Sequence, residues 1–243
     1  MQNQVFHSEG LKQHYQPIVD MSTQTVLAYE ALLRPVDFGM SPDKLIQLFE
    51  RNGKIPALDL WSIETAIGKA SHLNDPPQVS VNVSGKSISD PAFVSRAIEL
   101  VKQKPAHVLI NFEVTETHPI CDLASARRFL LAMQEQGSLT GLDDIGTGHA
   151  SMAMAIALGF DFVKIPAAIT TPMTAESLEV ITDIVTIAEH HSMLVVAEHI
   201  DNDEQFKTIR ALGVGYGQGW LFAKAGEHIA KGKNYAPVGV SFA

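Results

Sequence analysis

The sequence predicts an α/β protein whose strands run mainly parallel. From residue 79 onward, short β-rich apolar runs alternate with amphipathic helical runs. Strands separated by helices pair in parallel with the helices outside, either as a doubly wound open sheet or as a closed barrel. The length of 243 residues suits a single α/β domain, since a closed α/β barrel takes about 250 residues. No repeated motif, low-complexity stretch or interdomain linker divides the chain, so it reads as one domain.

The elements follow in order. Residues 14–19 and 26–33 read as two strands joined by the polar turn 20–25, too short for a parallel crossover, so this pair is predicted antiparallel. Helices over 41–52 and 56–72 lead into the repeating part. Residues 79–84 form a strand, and 91–104 a helix with Asp90 as cap and Pro91 at its first position. Strand 108–116, helix 122–136, strand 140–145, helix 150–158 and strand 162–165 come next. In the helix over 174–191, Leu178, Ile181, Ile184, Val185 and Ala188 fall at helical spacing. Strand 194–197, helix 203–212 and a final run over 217–222 close the series.

Composition narrows the function. A formal net charge of −9 argues against a nucleic-acid surface, which needs a basic patch. It leaves room for a phosphorylated ligand, provided metal ions stand between the anion and the acidic groups. Cys121 is the only cysteine, so neither an intrachain disulfide nor a cysteine-based zinc site can form. Residues 1–10 lack the apolar core of a signal peptide, and the apolar helical run 150–160 is too short to span a bilayer. The expected setting is a reducing cytoplasm with no membrane association.

The polar groups fall at strand ends. Glu30 lies late in the second strand, Asn82 near the end of 79–84, and Glu113 and Glu116 close the next strand. Asp143 and Asp144 end the following one, Lys164 ends 162–165, Glu198 follows 194–197, and Gln218 opens the last run. A lone carboxylate at a strand end is commonly a satisfied cap or ion pair, but this set is different. In a parallel barrel the strand C-termini converge on one face, where active sites are built. Carboxylates gathered there repel one another, and one lysine cannot offset them. Oxygen ligands of this kind suit hard cations such as Mg²⁺ or Mn²⁺. The adjacent Asp143-Asp144 pair suits two ions, because both carboxylates can face one site where a strand breaks into a loop. Two metals point to phosphoester hydrolysis, with the attacking and leaving oxygens both stabilised.

Other signals carry less. The alternating Gly213, Gly215, Gly217 and Gly219 lack the βαβ context of a dinucleotide site and read as a close-packed turn. His190 and His191 read as solvated helix-end residues, and Trp61 and Trp220 as core or rim packing, with Trp220 close to Gln218.

At these same positions the sequence resembles the EAL domain family along nearly its whole length. The match starts at Tyr15-Gln16-Pro17-Ile18-Val19-Asp20 and runs through Tyr29-Glu30-Ala31-Leu32-Leu33-Arg34, Val81-Asn82-Val83-Ser84 and Phe112-Glu113-Val114-Thr115-Glu116. It continues through Leu142-Asp143-Asp144-Ile145-Gly146-Thr147-Gly148, Val163-Lys164-Ile165, Val196-Ala197-Glu198 and Gln218-Gly219-Trp220-Leu221-Phe222. The resemblance implies a TIM-like (β/α)8 barrel with one antiparallel strand and a core at about residues 11–226. It also implies hydrolysis of cyclic di-GMP to linear pGpG with two Mg²⁺ or Mn²⁺ ions. By the same resemblance, Glu30, Asn82, Glu113 and Asp143 hold the first metal, and Asp143 bridges to a second beside Asp144. Lys164 holds the attacking water or the phosphate, and Glu198 acts as general base or orients that water. Glu116 steadies the loop after the aspartate pair, and Gln16, Leu33, Arg34 and Gln218 contact substrate or support the site. A homodimer formed near that loop is implied as well.

The chain departs from the family pattern at four places. Pro166 stands where aspartate is usual, and His199-Ile200-Asp201 replace Gly-Val-Glu. Ile145 replaces a phenylalanine, and Pro35 replaces an aromatic residue. No principal metal ligand is lost, so the reading from sequence is an active phosphodiesterase. Its rival is a degenerate member that binds cyclic di-GMP or a protein partner without hydrolysis.

Overall fold

A hairpin opens the fold. β1 (Leu11–Asp20) and β2 (Val26–Pro35) pair antiparallel, as the short turn requires. Asp20 builds the turn, its Oδ1 accepting from the backbone N–H groups of Ser22 at 2.8 Å and Thr23 at 2.9 Å. The computed structural model describes residues 8–115, 120–146 and 151–229. Helices α1 (Pro42–Arg51) and α2 (Ile55–Ser71) follow, then β3 (Gln78–Ser84), α3 (Gly85–Ile88), α4 (Pro91–Gln103) and β4 (Ile110–Thr115). Next come α5 (Leu123–Gln134), β5 (Thr140–Leu142), α6 (Met152–Leu158) and β6 (Phe162–Ile165). The chain then forms α7 (Ala167–Thr170), α8 (Ala175–His190), β7 (Leu194–Ala197), α9 (Asp203–Ala211) and β8 (Tyr216–Gly217).

The eight strands close into a barrel in sequence order. β1 runs antiparallel to both neighbours, β2 and β8, while every pair from β2 to β8 is parallel. This decides between the open sheet and the barrel. Local chemistry sets the helix starts: Asp90, Asp122, Thr174 and Asn202 each accept a backbone N–H in the first turn of the helix they cap.

Strand alternation sorts the side chains. Outward residues such as Phe112 meet the helices, where its ring stands edge-on to Phe129 of α5 at 5.2 Å between centroids. Both rings are fully buried, and each contributes roughly 1.5–3 kcal/mol by leaving water. Inward residues fill the barrel in layers. Ile18, Ala28, Phe162 and Val196 pack together in the lower interior. Two residues further toward the strand C-termini stand Glu30 on β2, Lys164 on β6 and Glu198 just past β7. On antiparallel β1 the same step runs backward, from Ile18 to Gln16. The period of two therefore carries each strand from an apolar floor to a polar upper layer.

At two strand ends the structure departs from the sequence reading for a local reason. The strand expected over 140–145 stops at Leu142, because Asp144 takes a left-handed backbone (φ 55°) that no strand continues through. The final run is strand only at Tyr216–Gly217 and then turns, with Leu221 N–H donating to Ile200 O at 3.1 Å. Gly219 is required there, since a Cβ would collide with the backbone of Ile200. Ala150, the expected start of α6, and Glu116, the expected end of β4, lie outside the described residues.

Candidate metal centre

The upper layer of the barrel is a single polar cluster built around Lys164. Its ammonium lies 2.6 Å from Glu198 Oε1, 2.8 Å from Glu113 Oε2, 3.3 Å from Glu30 Oε2 and 3.5 Å from Asp143 Oδ1. Lys164 is fully buried, and Glu30, Glu113 and Asp143 are buried beside it. Asn82 Nδ2 donates to Glu30 Oε1 at 2.7 Å, and Gln218 Nε2 donates to Glu30 Oε2 at 2.8 Å. Gln218 also reaches Gln16, whose own amide donates to Ala223 O. The second aspartate joins from the loop: oxygens of Asp143, Asp144 and Glu198 all lie within 4.8 Å of one another.

The backbone holds these groups in place. Asp143 N–H donates to Val114 O, and Ile145 N–H donates to Lys164 O, both at 3.0 Å, so the end of β5 is tied to both neighbouring strands. Ile145 is itself buried, an aliphatic plug directly after the aspartate pair. Pro166 precedes the short α7, and its carbonyl accepts from Ile169 and Thr170 N–H groups. Thr170 Oγ1 in turn donates to Glu198 O at 2.7 Å, bracing the general-base candidate from behind. His199 adopts a left-handed backbone (φ 54°), the conformation a glycine takes without strain.

Electrostatics mark the cluster as short of positive charge. Burial pushes Glu113 up to about 8 and Asp143 up to about 7, with Lys164 pulling against it and neighbouring carboxylates adding to it. Burial raises Asp144 and Glu198 as well, again with carboxylates close by. Glu30 behaves oppositely: burial opposes its ionisation, but Lys164 and the hydrogen bonds from Asn82 and Gln218 outweigh it and hold the carboxyl low. Burial likewise opposes the charge on Lys164, yet the surrounding carboxylates keep its pKa well above the ordinary value.

The donor set fits divalent cations. When ionised, Glu30, Glu113, Asp143, Asp144 and Glu198 leave Lys164 outnumbered by four negative charges, the charge of two such ions. Asn82 Oδ1 and Glu113 Oε1 are buried acceptors with no hydrogen-bond partner among the described residues, an arrangement that cation ligation would satisfy. Above the cluster opens a cavity of about 540 Å³. Its walls include the predicted Gln16, Glu30, Leu33, Arg34, Asn82, Asp143, Asp144, Glu198 and Gln218. Glu113 and Lys164 lie beneath it, and Glu116 falls outside the described residues.

Among the cavity residues not singled out from the sequence as site groups are Asp59, Trp61, His199 and Asp201. Asp59 had a legible signal, since it shares a helical face with Ile63, Ala66 and Ala70, all buried. Trp220 sits at the rim, 64% exposed, with its backbone N–H held by Asp201 Oδ1 at 2.8 Å.

A barrel with an acidic, cation-suited cluster at its strand C-termini defines the class of protein. Within it, the EAL domain model matches residues 1–225, and the chain belongs to that family. The cyclic di-GMP phosphodiesterase PdeF of Escherichia coli K12 is 31% identical over 219 residues, covering 86% of this chain and 29% of PdeF. The chain spans 26% to 42% of the length of the curated relatives it matches. The EAL enzyme Bd1971, solved with cAMP and cyclic di-GMP bound, superposes with a TM-score of 0.80 at 25% identity, over 90% of this chain and 63% of that one. Klebsiella pneumoniae BlrP1, solved with manganese and cyclic di-GMP, shares the fold at a TM-score of 0.76 and 24% identity, over 92% and 58%.

Proposed function

We propose that this chain hydrolyses cyclic di-GMP to linear pGpG with the help of two divalent cations, Mg²⁺ or Mn²⁺. The observation that carries the reading is the convergence of Glu30, Asn82, Glu113, Asp143, Asp144 and Glu198 around Lys164 beneath one cavity. The naming of PdeF as a cyclic di-GMP phosphodiesterase supports the substrate, and the manganese complex of BlrP1 supports the cofactor class. Bound cations would polarise the phosphoryl oxygen and make water a better nucleophile at neutral pH.

The chain's own residues divide the remaining work. Glu30, Asn82, Glu113 and Asp143 would hold one ion, and Asp143 with Asp144 the second. Lys164, 2.6 Å from Glu198, would orient that carboxylate and help hold the attacking water or the phosphate. Glu198 would take the proton as a water oxygen bonds to phosphorus and the bond to the ribose 3′ oxygen breaks. The departing oxygen takes a proton from solvent. Gln16, Leu33, Arg34 and Gln218 would contact the dinucleotide along the wall, and Glu116 would steady the loop after Asp144. Incubating the purified protein with cyclic di-GMP and Mn²⁺, then separating the products by chromatography, tests the reading. A single pGpG peak supports it; unchanged substrate sinks it.

One observation favours a second reading, a receptor that binds cyclic di-GMP without cleaving it. His199 takes a left-handed backbone directly after Glu198, a costly conformation for a non-glycine residue beside the general-base candidate. Binding without turnover would select that reading. A homodimer and a cytoplasmic setting complete the proposal, and light scattering tests the first. Among the described residues no helix is long and apolar enough to cross a membrane.

A further inference from the structure

Two acidic side chains outside the metal cluster meet at the end of β3. Glu50 comes from the last turn of α1 and Asp59 from the first turns of α2, and both are buried. They grip the same residue. Ser84 N–H donates to Asp59 Oδ2 at 2.9 Å, and Ser84 Oγ donates to Glu50 Oε1 at 3.2 Å. Lys86 Nζ donates to Glu50 O at 3.1 Å, tying α3 to the same corner. Ser84 lies two residues beyond Asn82 on the same strand, with Val83 facing the other way between them.

Burying two carboxyl groups is a poor way to stabilise a helix contact, since apolar side chains of similar size usually do as well or better. Burial pushes Asp59 up to about 7, with the Ser87 hydroxyl and the Ser84 N–H working against it and Glu50 adding to it. What the carboxyl groups provide, and apolar groups would not, is direction: each fixes one atom of Ser84. Asn82 benefits because its Nδ2 is committed to Glu30, so where its Oδ1, which has no hydrogen-bond partner among the described residues, points depends on where the end of β3 sits.

We propose that Glu50 and Asp59 are positioning residues, pinning Ser84 so that the carbonyl oxygen of Asn82 is held toward the cation site. The inference rests on the proposed metal-dependent function. It links the packing of α1 and α2, which wall the cavity, to the ligand geometry inside the barrel. Groups that orient metal ligands typically contribute 10–100-fold in metal affinity.

Calorimetric titration of the metal-free full chain with Mn²⁺ tests it, with thermal melting run in parallel. Asp59→Leu should weaken Mn²⁺ roughly tenfold, and Asp59→Asn, which keeps an acceptor for Ser84 N–H, should restore most of the affinity. Asn82→Ala should also weaken Mn²⁺, and adding Asp59→Leu to it should cost little more, because coupled residues are non-additive. If Asp59→Leu does not fold, Ser84→Ala, which releases the hydroxyl from Glu50, carries the same expectation. Wild-type affinity in a folded Asp59→Leu or Ser84→Ala protein would overturn the proposal, as would a full further loss in the Asn82→Ala background. A wild-type protein that does not bind Mn²⁺ at all would overturn the proposed function and this inference together.

Discussion

Lys164 Nζ stands 2.6 Å from Glu198 Oε1, an ion pair between β6 and the residue that follows β7. The backbone supports it: Glu198 N–H donates to Ile165 O at 3.0 Å, carrying the parallel pairing one residue past β7. The pair couples a fully buried cation to the carboxylate that faces the cavity.

That coupling gives the first prediction. Glu198→Gln should lower kcat for cyclic di-GMP by about 10²-fold or more, the range for a lost proton acceptor. The amide is nearly isosteric, and Lys164 keeps three other carboxylates, so cyclic di-GMP affinity and Tm should change little. Steady-state kinetics beside a ligand titration separates the two effects.

Lys164→Met removes the ammonium at the centre of the cluster. In the metal-free protein, buried carboxylates would lose their counter-charge, and breaking a buried pair this way costs about 3–5 kcal/mol. Urea unfolding in chelator should show a lower midpoint with an unchanged slope. Added Mn²⁺ should recover part of the loss.

The elevated carboxyl groups set a pH dependence. Asp143 and Asp59 at about 7, and Glu113 at about 8, hold protons in the folded chain that the unfolded chain has already released. Their preference for the protonated form therefore stabilises the metal-free fold at low pH and is lost as pH rises through those values. Glu30 is held low and adds no slope in this window. The Tm in chelator should fall between pH 5.5 and 8.5, and Mn²⁺ affinity should rise as protons stop competing. A Tm that climbs with pH in chelator would contradict the account.

Metal identity should matter in a particular order. Mg²⁺ or Mn²⁺ should support turnover, while Ca²⁺ should bind and support it poorly, because its longer bonds and looser geometry misplace the attacking water. Competition of Ca²⁺ against Mn²⁺ in an activity assay reads both properties at once.

Much of this was legible in the sequence because a strand repeats every two residues. Phe162 and Lys164, or Val196 and Glu198, announce an interior that turns from apolar to charged toward one end. The antiparallel β1 followed from a turn too short to cross over. What the sequence withheld depends on closure in three dimensions. The complete burial of Lys164 follows from carboxylates on several other elements, which no local pattern reports. α3 and α7 each have four residues, too few to show a helical period. The end of β8 depends on Gly219 meeting the Ile200 backbone, a contact between separate loops. Glu50 and Asp59 escaped because an acid on a helix reads as solvent-facing until its apolar neighbours are counted.

Whether the acidic cluster hydrolyses cyclic di-GMP with bound cations is read from the reaction run in ¹⁸O-labelled water with Mn²⁺, followed by mass spectrometry. The expected product is pGpG carrying one ¹⁸O on its terminal 5′ phosphate, with no product once chelator is in excess. Intact cyclic di-GMP after prolonged incubation with bound protein, or labelled product formed at full rate in chelator, would contradict cation-dependent hydrolysis.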